Sequence, residues 1–286
     1  MKNTGFLEGK ELHDRVPDKD WVFGAQSLKG LYNIPSNLRH LYLPKGELQN
    51  IGEEKSGCVS RAILNKLSSD ITYGYRNGLM EVANMRWLED NGYVEDDSID
   101  FADAYIEIDS GTTRQGNSMK APLESTRKAG LIPKKLLPQL ERWDDHMNPK
   151  RITKEMRALG AEFAQRFTVN YEQITGETYP IALAKDMFIC AVVAWPEPSD
   201  GVYPQTIGTP NHCIMVYGLP PYEIFDNYFD AGKPEDYTKT LAPNYHLAYG
   251  YRVFISNETT PEDRINSELV FLALVKNGLV SFFAKF

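Results

Sequence analysis

Helical periodicity fills the first half of this chain, short β-branched and aromatic runs fill the second, and the changeover falls at Tyr179-Pro180. From Cys58, the apolar residues Val59, Ala62, Ile63 and Leu67 recur at i, i+3, i+4 and i+8, with Arg61, Lys66 and Ser68 opposite. That spacing predicts an amphipathic helix. Further helices are expected over 78–90, ended by Asn91-Gly92, and over 119–129, ended by Gly130 and Pro133. Asn148 as cap and Pro149 in the first turn open another, whose stripe is Ile152, Met156, Leu159, Phe163 and Phe167. Beyond the changeover, 187–195, 213–217, 222–225 and 248–255 read as strands, and Gly218-Leu219-Pro220-Pro221 joins two of them as a hairpin. Residues 1–50 are turn-rich, and 95–109 reads as an acidic, solvated loop and strand. The expectation is an α+β chain, helices first and an antiparallel sheet second, in two lobes that share a cleft.

Composition removes several functional classes. A formal charge of −8 argues against a nucleic-acid backbone as partner, because that partner selects basic surfaces. Three cysteines, Cys58, Cys190 and Cys213, are too few and too scattered for a disulfide framework. No Cys/His spacing suits zinc, so neither a metal nor an organic cofactor is expected. The N-terminus lacks the apolar core of a signal peptide, and no stretch reaches the roughly 18 apolar residues of a membrane span.

Chemistry enters with Ser56-Gly57-Cys58-Val59, where a thiol opens the first strong helix. Asn211-His212-Cys213 follows 154 residues after Cys58, at the start of a strand, and Asp226-Asn227-Tyr228 comes after the next strand. A helix N-terminus and a nearby imidazolium both favour thiolate, and a third polar group can orient the imidazole. Cys213 points to the opposite strand face from His212 and is expected to pack.

In this order of segments the chain resembles the papain-like cysteine peptidases, and the stretch Asp109-Ser110-Gly111 through Pro133 is similar to bacterial and phage-type members. The resemblance spans about residues 38–255. It implies a papain-like two-lobe fold, with a helical lobe over about 50–178 and a sheet lobe over about 179–257 that takes in part of the N-terminal segment. It makes Cys58 the nucleophile and His212 its acid–base partner. The orienting group is either Asp226, with Tyr228 shielding the pair, or Asn227, with Phe229 in that place. Gln49 stands where the family carries its oxyanion donor, but nine residues before the cysteine, three more than usual. Val59 replaces the common aromatic. Gly116 and Asn117 resemble the glycine-rich strip that pairs with an extended peptide. No inhibitory pro-region is expected in the 57 residues before Cys58, so control is assigned to assembly or location.

Thr260-Pro261-Glu262-Asp263 has the form of a helix start, and the apolar run Leu269–Val275 follows. Residues 258–286 are therefore expected to form an apolar C-terminal helix that packs on the chain itself or docks on a partner in an assembly. The implied activity is hydrolysis of peptide bonds in a peptide or protein substrate, by a cytoplasmic or virion-associated, phage-encoded enzyme acting on a virion protein or cell-wall peptide. The alternative is a catalytically decayed papain-fold structural or adaptor protein.

Overall fold

The computed structural model describes residues 5–7, 30–46, 48–174, 176–195, 201–219, 221–229, 233 and 236–256. Its helices are α1 (Cys58–Arg76), α2 (Val82–Asp90), α3 (Asp103–Asp109), α4 (Lys120–Ala129), α5 (Trp143–His146), α6 (Lys154–Arg166) and α7 (Tyr179–Lys185). A small hairpin pairs β1 (Val94–Glu95) with β2 (Ser98–Ile99). The main sheet runs β3 (Thr168–Ile174), β9 (Gly250–Ser256), β4 (Phe188–Val192), β6 (His212–Val216), β7 (Glu223–Phe225), β8 (Thr238–Leu241) and β5 (Val202–Tyr203). Its pairings are antiparallel except for β5 with β8. This is the α+β arrangement expected from the sequence, with β3 joining the sheet from ahead of the changeover. The apolar tail, 258–286, lies outside the described residues. Among the described residues no helix is long and apolar enough to cross a membrane.

Helix α1 is the axis of the molecule and packs against β6 and β9. The sequence assigns it a polar face of Arg61, Lys66 and Ser68, but all three are buried. Other elements cover that face and supply partners. Arg61 ion-pairs with Asp103 and Glu107 of α3 at 3.1 and 3.0 Å. Lys66 pairs with Asp70 and Asp186. Such charges are tolerated in a core only when paired and hydrogen-bonded. On the apolar side Val59, Ile63, Leu64 and Leu67 are fully enclosed, so truncating Leu64 to alanine is expected to cost about 2–5 kcal/mol.

Three local expectations change. The helix over 78–90 starts at Val82, because Gly78 adopts φ +62°, outside the helical region. Asn148 caps only a 3-10 turn, Pro149–Arg151, and the long helix begins afresh at Thr153, whose hydroxyl accepts from the Met156 N–H at 3.2 Å. The acidic stretch 95–109 is not a loop and strand throughout. Its second half is α3, which presents Asp103 and Glu107, at i and i+4, to Arg61.

Candidate active site

Cys58 is the first residue of α1 and is buried. At that position its backbone N–H has no intrahelical partner. Gly57 is required directly before it, since a Cβ there would lie 1.8 Å from Glu107 Oε1. Ser56 takes φ +51°, an unusual value for a non-glycine residue. It is held there by its N–H to Glu54 Oε1 (2.8 Å) and its hydroxyl to the Arg114 carbonyl (2.9 Å).

His212 opens β6, which α1 crosses. Its Nε2 lies 2.7 Å from Asp226 Oδ1. Its buried Nδ1 makes no hydrogen bond of conventional geometry. The Cys58 thiol also acts on the ring, in the direction that raises its pKa. Burial alone would lower the imidazole pKa, but the charge and hydrogen bond of Asp226, together with the thiol, outweigh it and raise it to about 10. Asp226 follows the same logic with the opposite sign. Burial would raise its pKa, and Lys239, His212 and the Asn227 N–H hold it well below the usual carboxylate range. The three side chains thus meet from a helix, a strand and the loop after the next strand.

Of the two candidates for orienting the ring, Asp226 faces His212. Asn227 turns the other way, accepting from Asn65 Nδ2 of α1 at 2.9 Å. Tyr228 accordingly covers His212, with ring centroids 5.7 Å apart, while Phe229 packs against Tyr237. Trp195 meets the other side of His212 edge-on at 6.0 Å.

Gln49 lies beside this group without an open amide. Its Nε2 contacts Glu54 Oε1 at 2.5 Å and the Tyr228 hydroxyl at 3.1 Å, and Tyr228 donates to Glu54 Oε2 at 2.5 Å. Gln49 as found is therefore committed to a Glu54–Tyr228 network rather than presented to a substrate oxygen. The longer spacing to Cys58 carries Glu54, the residue that engages it.

Gly116 and Asn117 do pair with an extended segment, but that segment belongs to the chain itself. The Asn117 N–H donates to the Gly5 carbonyl at 2.9 Å, and the Leu7 N–H donates to the Asn117 carbonyl at 3.0 Å. The Phe6 N–H reaches the carbonyl of Asn211, the residue before His212, at 3.3 Å. Gly116 has φ +110°, and a Cβ on it would lie 2.0 Å from the Gly5 oxygen. A Cβ on Gly5 would in turn lie 2.2 Å from the Ser56 oxygen. Residues 5–7 are thus wedged between the loop before Cys58, the glycine strip and the start of β6. A segment ahead of Cys58 therefore packs on the strip that the resemblance assigns to substrate. Three hydrogen bonds from an otherwise turn-rich segment leave no periodic signature, and no pattern in the sequence could have revealed them.

No protein-family model matches this sequence, and no curated protein sequence does. Among solved structures, it is similar to xylellain, a cysteine protease from Xylella fastidiosa, at 12% identity and a TM-score of 0.54, covering 86% of this chain and 94% of that one. The chain has the papain-like cysteine peptidase fold. Procathepsin B S9 from Trypanosoma congolense also matches, at 12% identity and a TM-score of 0.44, over 82% of this chain and 80% of that one. The structure brings Asp226 to His212 at the start of β6, and Cys58 opens the helix that packs on that strand. Of the residues singled out in the sequence, Asp226 and Tyr228 lie against His212. Sequence reasoning missed Trp195, Glu54 and Lys239, for which the one available signal was a lysine at an inward strand position.

Proposed function

We propose that this chain is a thiol peptidase in which Cys58, His212 and Asp226 hydrolyse peptide bonds. The observation that carries the reading is the buried imidazole with one nitrogen bound to a carboxylate and the other left to a thiol at a helix start. An imidazole pKa raised to about 10 favours the thiolate–imidazolium pair at neutral pH. In the proposed reaction the Cys58 sulfur adds to the scissile carbonyl, and the resulting oxyanion is met by the Cys58 N–H at the start of α1. His212 gives its proton to the leaving amine as the C–N bond breaks and a thioester forms. It then takes a proton from water, which attacks the thioester and releases the carboxylate and the thiol. Asp226 keeps the ring oriented throughout.

Residues 5–7 occupy the strip assigned to an extended substrate, so the chain as it stands is a closed form, and displacement of that segment precedes turnover. A phage-encoded enzyme directed at a virion protein or cell-wall peptide is the narrower reading, supported by the sequence resemblance alone. The C-terminal run 258–286 is proposed as its packing or docking element on the same footing.

A second reading, a papain-fold structural protein without turnover, is favoured by one observation. The Gln49 amide is already engaged by Glu54 and Tyr228, which leaves the oxyanion to a single backbone donor. The two readings part in one experiment, incubation with a denatured protein mixture and mass-spectrometric reading of new termini. The peptidase produces termini that are absent with Cys58→Ser, before or after removal of residues 1–29. No new termini in either form would establish the structural reading.

A further inference from the structure

Lys239 sits at an inward position of β8, alternating with buried Leu241, where an apolar residue is the usual occupant. Its side chain is 2% exposed. Its ammonium lies 3.2 Å from Asp226 Oδ2, 2.5 Å from the Tyr228 carbonyl oxygen and 5.8 Å from the centroid of the Tyr203 ring. A buried ammonium is costly to desolvate and persists only where its partners are well placed. Here the partner is the carboxylate beside the histidine. Oδ1 of Asp226 accepts from the His212 ring and from the Asn227 N–H, and Oδ2 faces Lys239, so both carboxylate oxygens are engaged.

We propose that Lys239 is a positioning residue of this site, pinning Oδ2 of Asp226 and turning the buried carboxylate–imidazolium–thiolate trio into a neutral row of four alternating charges. The inference rests on the peptidase reading, since the row is complete only when Cys58 is a thiolate. A lone buried aspartate beside the ion pair leaves one net negative charge out of water. Lys239 removes that excess without touching the histidine. The other ionisable groups around the row are Tyr228, backed by Glu54, and Tyr203 on β5. Burial pushes the Tyr228 hydroxyl pKa up, and Lys239 is the cation that faces the carboxylate.

The test follows the His212 ring by NMR, assigned by its loss in His212→Ala, through an acid titration of the full chain. The expected result is that Lys239→Met moves the step caused by Asp226 protonation up by about one pH unit or more, a tenfold change in proton affinity. Lys239→Arg restores it, and Asp226→Asn abolishes the step whether or not Lys239 is present. A step that Lys239→Met leaves in place overturns the proposal. Should Lys239→Met fail to fold, Asp226→Asn/Lys239→Met, neutral and of similar volume, is expected to fold, and its failure as well would assign Lys239 to the fold rather than to Asp226. The peptidase reading fails separately, if Cys58→Ser leaves the alkaline titration of His212 unchanged.

Discussion

Among the described residues two buried histidines each bind a buried carboxylate, and the proposed chemistry uses one of them. His146, at the end of α5, lies 2.6 Å through Nε2 from Glu107 Oε2, and its Nδ1 accepts from the Leu140 N–H at 3.2 Å. Both nitrogens are spent on the fold, and the pair braces Arg61 and the loop under Gly57. His212 makes the same kind of carboxylate contact, 2.7 Å from Asp226, but its second nitrogen makes no hydrogen bond within the fold. The lesson is that a buried histidine–carboxylate pair does not identify a site by itself. The ring nitrogen left over by the fold does.

Substitution of the two histidines should break the comparison most sharply. His212→Ala is expected to reduce peptide hydrolysis by about 10³-fold or more, as loss of a member of a catalytic unit does. His146→Ala is expected to destabilise the fold by about 1–3 kcal/mol in urea unfolding, because it leaves Glu107 Oε2 without this partner while Oε1 keeps Arg61. An equal loss of activity per folded molecule in both variants would erase the distinction.

The proposed closed form gives the next largest effect. Phe6 is buried against Tyr249, with ring centroids 5.9 Å apart, so Phe6→Asp places a charge in an apolar seat and should release residues 5–7. Alkylation of Cys58 by a thiol-directed epoxide is expected to rise about tenfold or more, in line with about 2 kcal/mol lost from the closed form. Unchanged alkylation would remove the segment from any role in access.

Proton linkage sharpens the contrast further. The His212 pKa, raised from 6.5 to about 10, contributes stability that is fully present below about 6.5 and is lost as pH climbs through 10. The depressed Asp226 contributes stability present above its ordinary 3.8 and lost as pH falls through its lower folded value. The Tm difference between wild type and Asp226→Asn should therefore be widest between pH 3.8 and 6.5 and should narrow toward 10. A difference that widens as pH rises above 6.5 would contradict the assignment. The smallest effect belongs to Asn65→Ala, which removes one buried hydrogen bond to Asn227 and should lower stability by about 1 kcal/mol in the same urea assay, with the His212 titration unmoved.

The legible parts of this protein are those that repeat or punctuate. The apolar spacing after Cys58 gave α1, the β-branched and aromatic runs gave β4, β6 and β9, and the turn at 218–221 joined β6 to β7. Cys58 and His212 stood out because a thiol at a helix start and an imidazole at a strand start are individually readable. Asp226 and Asn227 could not be separated, since neighbouring residues differ only in which way the local backbone turns them. The polar side of α1 misled for a related reason. Arg61 and Lys66 look solvent-facing in one dimension and become core residues once α3 and the segment around Asp186 cover them.

By itself the sequence determined the periodicities, the order of thiol, imidazole and carboxylate, and the absence of metal-ligand spacing, because these are properties of neighbours along the chain. The tertiary structure alone decided which oxygen of Asp226 holds His212, that Lys239 faces the other oxygen, that the Gln49 amide is taken, and that residues 5–7 pair with Asn117. Each of those contacts joins segments far apart in sequence. Their geometry is fixed by how α1 crosses the sheet, and no local pattern encodes a crossing.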